Sequence, residues 1–188
     1  MSLYRSFAGV LDYPGLELSE RAGECASELA SILPRGAELL SQFQASYREL
    51  GTARLQEIYT SVFDMQPECA LNLSYHLFGE DQRRGIFLAK LKELYEPAGI
   101  STGTELPDHL CLMLRYLATD VDMAAKADLI ADCLHPVISK IARGLDGTSN
   151  PYRGVLDALL LWLEKDAGSQ SPSKDTGVSG YEVTARPS

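Results

Sequence analysis

The sequence is poor in residues arranged to form metal sites or disulfide frameworks. Its 188 residues include four cysteines and three histidines, and no two cysteines form a CxxC pair. There is no HExxH motif, no closely spaced Cys/His set and no calcium-type loop of carboxylates. We therefore expect the cysteines to be small buried core residues, and we expect the chain to hold no metal and no cofactor of its own.

Motifs that carry enzyme chemistry are also missing. A phosphate-binding GxxxxGKS or GxxxxGKT loop, a GxGxxG turn and a GxSxG elbow are all absent. Serine and cysteine nucleophiles exist, but nothing in the sequence pairs them with a base. The sequence therefore predicts that the protein is not an enzyme.

Long hydrophobic runs and basic clusters are scarce as well. The apolar run from Ala158 to Leu163 has six residues, whereas a membrane span needs roughly 20. The N-terminus lacks an export signal. The pair Arg83-Arg84 superficially resembles a twin-arginine export signal, but it lies mid-chain and the apolar stretch after it is soon interrupted by charges. A net charge of −9 disfavours nucleic acid and anionic lipid, and favours a basic peptide partner. We expect a cytoplasmic protein without stable membrane insertion.

What the sequence does contain is helical periodicity along most of its length. This pattern predicts an all-α fold, a single-domain helical bundle of about eight helices. Ser19 is the predicted N-cap of an early helix that Pro34 and Gly36 stop, and Gly51 closes the next helix, which begins at Ala37.

Three aspartates mark further helix starts. Asp81, Asp108 and Asp122 are each predicted to cap a helix, and the helix after Asp122 places Ala125, Leu129, Cys133, Val137 and Ile141 inward. The pair His135-Pro136 should kink or divide that helix, because proline removes an amide donor. It is also a candidate hinge, so the sequence leaves open a monomer or a domain-swapped dimer.

The composition changes at Gly168. Of the 21 residues 168–188, twelve are Gly, Ser, Thr or Pro. Such a segment cannot bury enough apolar surface to offset the entropy of ordering. We therefore predict a helical domain at residues 1–167 and a disordered C-terminal tail at residues 168–188.

Two polar clusters stand out from the helical pattern. The first is Tyr59 to Asp64, followed by Leu73 to Gly79, and the second is Glu105 to Leu110. In the second cluster, Glu105 and His109 could converge at one helix mouth beside an apolar groove. Taken alone, such a string is most often just a capped turn.

These clusters, with Arg83-Arg84-Gly85 and the helix Leu88 to Tyr95 between them, resemble in order and spacing the delta subunit of respiratory nitrate reductase. That NarJ-like family belongs to the wider TorD/DmsD group of molybdoenzyme assembly chaperones. The likeness covers about residues 59–117. One departure is Leu114-Arg115-Tyr116, where the family usually has a Leu-Glu-Phe-like string.

The resemblance implies a chaperone that binds the N-terminal segment of a molybdoenzyme catalytic subunit. It would keep that subunit competent for molybdenum cofactor insertion before membrane docking or export. The peptide-binding residues that the resemblance and the groove hypothesis indicate are Tyr59, Phe63, Asp64, Tyr75, His76, Glu105, Asp108, His109 and Leu110.

Two other interpretations stay open at this point. The client could be another molybdoenzyme of the dimethyl sulfoxide reductase superfamily. Alternatively, the chain could be a helical ligand-responsive regulator or a small enzyme, which a closed pocket holding a ligand would favour.

Overall fold

The computed structural model describes residues 2–170, and all regular secondary structure among them is helical. One isolated antiparallel bridge, between Asn72 and His109, is the sole β-type pairing in this range. The α-helices are α1 (Leu3–Leu11), α2 (Leu18–Ala30), α3 (Pro34–Tyr59), α4 (Leu73–Phe78), α5 (Arg83–Tyr95), α6 (Leu110–Leu117), α7 (Met123–Leu129), α8 (His135–Gly144) and α9 (Tyr152–Gln170). The predicted all-α fold of about eight helices is confirmed.

Short turns of other helix types extend two of these elements. A π-helical turn, Thr60–Asp64, continues α3, and a second one, Ile130–Leu134, joins α7 to α8. Pro136 lies in the first turn of α8, directly after the second π-helical turn. The predicted kink or division at His135-Pro136 thus falls where the helix type changes, and the backbone of Leu134 and His135 stays helical.

The core is built around α3. This helix packs against α2 and α9, while α1 packs against α2 and α6. Rings of Phe43, Tyr59, Phe63 and Tyr152 form one aromatic cluster, with centroids 4.9 to 5.6 Å apart for the pairs in contact. All four cysteines are free and buried, as predicted.

Local signals placed several helix ends correctly. Gly51 has φ of 78°, a left-handed conformation that favours glycine, and it interrupts α3 with a kink. The Asp122 carboxylate accepts hydrogen bonds from the amides of Ala124 and Ala125, each at 3.1 Å, and so caps α7 as predicted. Asp81 accepts from the amide of Arg83 at 2.8 Å at the start of α5.

Other local predictions were wrong. Ser19 lies inside α2, which begins at Leu18, and α3 begins at Pro34 itself, because proline fits the first helical turn. Ala125 is exposed, since α7 has no fully buried residue and its inner side is only partly covered.

The predicted boundary at residue 168 falls within α9, which the structure describes to Gln170. The rest of the predicted tail, residues 171–188, lies outside the described residues.

Candidate functional site

The first polar cluster begins at the C-terminal end of α3. Tyr59 and Phe63 are both buried, with ring centroids 4.9 Å apart, and the Tyr59 hydroxyl donates a hydrogen bond to the carbonyl of Leu11 at 3.1 Å. Burial raises the pKa of Tyr59 far above its ordinary value, and nearby groups such as Cys111 add to this effect. The hydroxyl is therefore a neutral donor that ties the end of α3 to the end of α1.

The second polar cluster is joined to the first by backbone hydrogen bonds. The amide of Leu110 donates to the carbonyl of Leu71 at 2.8 Å, and the amide of Leu73 donates to the carbonyl of Asp108 at 3.1 Å. The Tyr95 hydroxyl donates to the carbonyl of Pro107 at 2.7 Å. The loop before α6 is thus fixed against the segment before α4 and against the end of α5.

Asp108 has a different role from the predicted cap of its own helix. It is fully buried, and its carboxylate accepts from the amide of Ser74 at 3.0 Å, from the Ser74 hydroxyl at 2.5 Å and from the Asn72 side chain at 3.2 Å. It therefore accepts from an amide in the first turn of α4, and not from one in the first turn of α6. The helix-cap prediction was wrong because the folded chain brings a second helix start within reach of this carboxylate.

His109 is the residue that caps α6. Its Nδ1 accepts a hydrogen bond from the amide of Cys111 at 3.3 Å. Burial lowers the pKa of His109, and the carboxylates of Glu105, Asp12 and Asp108 offset that lowering in part. Because a nitrogen that accepts from an amide must be unprotonated, the cap and the lowered pKa both favour the neutral ring.

A cavity of roughly 510 Å³, open to solvent, lies between these segments, and we call it the trough. Its aromatic residues are Tyr13, Tyr59 and Phe63. The remaining residues that line it are Asp12, Arg21, Asp64, Leu71, Asn72, Glu105, His109, Leu112 and Arg115. The trough thus combines apolar surface with three carboxylates and two arginines.

The structure brings five of the nine predicted site residues together in the trough: Tyr59, Phe63, Asp64, Glu105 and His109. Glu105 and His109, predicted to converge at one helix mouth, both line this cavity. The other four, Tyr75, His76, Asp108 and Leu110, do not line it.

Those four residues have other surroundings. Leu110 and Asp108 are fully buried. Tyr75 is exposed on α4, and the Nε2 of the neighbouring His76 lies 2.7 Å from the carbonyl of Ala70. Burial lowers the pKa of His76, although its hydrogen bond to Ala70 opposes this effect.

Sequence reasoning missed the side of the trough formed by α1 and α2. Asp12, Tyr13 and Arg21 come from segments more than 35 residues before the first polar cluster, and no local pattern marks them. Arg115, which stood out as a departure from the family pattern, is the exception. It forms an ion pair with Asp12, and both residues line the trough.

Three exposed apolar side chains belong to the trough or to residues adjacent in sequence to its lining. Tyr13, which lines it, is 56% exposed, and Met65 and Leu106, next in sequence to Asp64 and Glu105, are 72% and 44% exposed. Large exposed apolar side chains next to an open cavity are typical of a surface that binds another molecule.

Features of other site classes were not found in the part of the chain that the structure describes. Residues 2–170 contain no group of three or more His, Cys, Asp or Glu side chains placed to hold a metal ion. Within the same range, no helix combines the length and the apolar character needed to cross a bilayer. The fold and the trough define an all-helical domain with an open cavity lined by aromatic and charged side chains.

The family of this helical domain is shown by comparison with known proteins. The family model described as nitrate reductase delta subunit matches residues 17–143. The chain belongs to the nitrate reductase delta subunit family.

Curated relatives agree with this assignment. The probable nitrate reductase molybdenum cofactor assembly chaperone NarW of Escherichia coli K12 is 27% identical, over 98% of this chain and 78% of the relative. The probable chaperone NarJ of Bacillus subtilis is 31% identical, over 86% and 88%. NarJ of Escherichia coli K12 is 28% identical, over 80% and 65%.

Proposed function

We propose that this protein is an assembly chaperone for nitrate reductase. In this proposal it binds the N-terminal segment of the catalytic subunit in the trough. It keeps that subunit competent for molybdenum cofactor insertion until the subunit docks at the membrane or is exported. The observation that carries the proposal is the convergence of Tyr59, Phe63, Asp64, Glu105 and His109 on one open cavity, in a chain whose relatives are named as such chaperones.

The aromatic side of the trough would supply binding energy. An amphipathic peptide helix places apolar side chains every three or four residues, and such a stripe fits a groove with an apolar surface. Tyr13, Met65 and Leu106 are exposed at or beside the trough, so a peptide there would cover apolar surface that now faces water.

The acidic side of the trough would supply orientation. No ion pair to Asp64 or Glu105 occurs within residues 2–170, so both carboxylates remain available to a cation. Carboxylates at the edge of an interface speed the capture of a basic peptide and fix its direction more than they add affinity. The net charge of −9 acts in the same sense.

This function requires no catalysis and no cofactor bound by the chaperone itself. The protein would act in the cytoplasm, where the catalytic subunit is made and filled, and its partner would be that subunit. The relatives are named as assembly chaperones, which supports a non-enzymatic role.

Isothermal titration calorimetry with the N-terminal peptide of the catalytic subunit tests the proposal. The unchanged protein should bind, and the double variant Asp64→Asn/Glu105→Gln should bind roughly tenfold more weakly, because two charge contacts are lost. Glu49→Gln is the matched control, since Glu49 is exposed on α3 and does not line the trough.

Absence of binding by the unchanged protein would overturn the proposed function. Binding that the double variant leaves unchanged would place the peptide elsewhere on the molecule.

A further inference from the structure

A second cavity adjoins the trough and has the opposite charge. It has a volume of roughly 280 Å³, and we call it the arginine chamber. The residues that line it are Arg5, Ser6, Gly9, Asp12, Arg21, Glu24 and Arg115. Because Asp12, Arg21 and Arg115 line both cavities, the trough and the arginine chamber share one wall.

The arginine chamber is formed by three helices. Arg5 and Gly9 lie one turn apart on α1, Arg21 and Glu24 lie on α2, and Arg115 lies on α6. At Gly9, α1 comes close to α2, because a Cβ at this position would be in ordinary van der Waals contact with Arg21 Cδ at 3.5 Å. Arginines from three different helices thus line one small cavity.

The charge balance changes sign between the two cavities. In the trough, the three carboxylates of Asp12, Asp64 and Glu105 exceed its two arginines by one negative charge. In the arginine chamber, three arginines exceed the carboxylates of Asp12 and Glu24 by one positive charge. This local reversal stands out in a protein whose net charge is −9.

The arginines of the chamber are accessible to an incoming anion. Arg115 pairs with Asp12 in a half-buried ion pair whose side chains are 38% and 30% exposed, so the pair still has contact with solvent. Arg21 pairs with Glu17 at 2.7 Å on the surface, where the Glu17 side chain is 71% exposed. Arg5 is exposed and has no ion pair within residues 2–170. An exposed pair such as Arg21–Glu17 contributes little stability, so another carboxylate can exchange into it at low cost.

We infer that the arginine chamber binds an acidic side chain of the same client peptide whose basic residue faces Asp64 and Glu105. This inference rests on the proposed function, and it adds a specificity determinant to it. A peptide helix that spans the shared wall would meet carboxylates at one end and guanidinium groups at the other. Only one of its two directions satisfies both ends, so the charge order of the client sets its polarity.

Guanidinium groups suit this role. A guanidinium presents several N–H donors in a plane and can bind a carboxylate through two parallel hydrogen bonds, which gives direction as well as attraction. Arg115 is central, because it lies in the shared wall and can release Asp12 when a peptide carboxylate replaces it. Arg5 adds a guanidinium that no neighbour already occupies.

A double-mutant cycle by isothermal titration calorimetry tests the inference on the full-length protein. The probe is the N-terminal peptide of the nitrate reductase catalytic subunit, together with versions in which each Asp or Glu is replaced by Asn or Gln. Arg115→Gln and Arg5→Gln should each weaken binding of the unchanged peptide, the first by roughly tenfold. Both variants should bind one of the neutralised peptides as well as the unchanged protein binds it.

Two controls separate charge recognition from structural damage. Arg48→Gln removes an exposed arginine of α3 that lines neither cavity, and it should leave binding unchanged. The double variant Asp12→Asn/Arg115→Gln removes the ion pair without leaving Asp12 unpaired. It should weaken binding of the unchanged peptide as Arg115→Gln does.

The possible outcomes are distinct. Equal weakening for charged and neutralised peptides, no weakening in either variant, or a binding segment without any Asp or Glu would overturn the inference and leave the proposed function standing. No binding by the unchanged protein would overturn both.

Discussion

The two walls of the trough are held in different ways. On one side, Tyr59 and Phe63 pack against each other and against Tyr152, which also contacts Phe43, and we call this side the aromatic wall. On the other side, the loop that carries Glu105 and His109 is fixed by the buried Asp108 carboxylate, and we call it the hydrogen-bonded wall.

This difference separates stability from site geometry. Apolar packing has no preferred direction and its contribution grows with buried area, so the aromatic wall belongs to the core of the whole domain. Hydrogen bonds depend on direction and distance, so the hydrogen-bonded wall sets where a few side chains point. Damage to the first wall should therefore be global, whereas damage to the second should be local.

The largest effect should follow from Phe63→Ala in the aromatic wall. Phe63 is 4% exposed, and removal of a buried ring leaves a cavity that costs about 3–5 kcal/mol. Urea denaturation should show this loss in the free energy of unfolding. A loss below about 1 kcal/mol would mean that the ring is not part of the core.

A smaller effect is expected for Asp108→Ala in the hydrogen-bonded wall. The substitution leaves the buried amide and hydroxyl of Ser74 without their acceptor, at a cost of about 1–3 kcal/mol. Hydrogen exchange should show faster exchange of the Leu73 and Leu110 amides, with the α3 and α9 amides still protected.

The control for Asp108→Ala is Asp120→Ala. Asp120 is exposed, so its substitution should leave both the free energy of unfolding and the amide exchange rates unchanged. Uniform loss of protection throughout the protein would contradict the local role of Asp108.

The smallest effect should be a pH dependence of the free energy of unfolding, caused by His109 in the hydrogen-bonded wall. Burial lowers the pKa of His109 in the folded state, so protonation favours the unfolded chain. The stability that the neutral His109 ring contributes is fully present above the ordinary histidine pKa of about 6.5, and it is lost as the pH falls below that value.

Urea denaturation at a series of pH values measures this effect. His109→Asn keeps an N-cap acceptor but does not titrate, so its stability should fall less steeply below pH of about 6.5. Burial lowers the pKa of His76 too, so part of the slope should remain in the variant. An unchanged slope would show that His109 does not contribute.

Part of the candidate site could be predicted from the sequence. The two polar clusters were identified by their residues and by family resemblance, and Glu105 and His109 do meet in one cavity. The opposite side, with Asp12 and Arg21, was not predicted, because helical periodicity shows which face of a helix is apolar but not which helix it meets.

The sequence by itself determined the features that depend on near neighbours. These are the helical class of the fold, the kink at Gly51, the cap at Asp122 and the change of helix type before Pro136, because each follows from the backbone preferences of residues within one turn. Only the tertiary structure decided the rest. The Asp108 carboxylate accepts a hydrogen bond from the amide of Ser74 at the start of α4, 34 residues away in the sequence. A buried carboxylate accepts from whichever donors the fold brings within reach. The same packing of α1, α2 and α6 placed a cationic chamber beside an acidic trough.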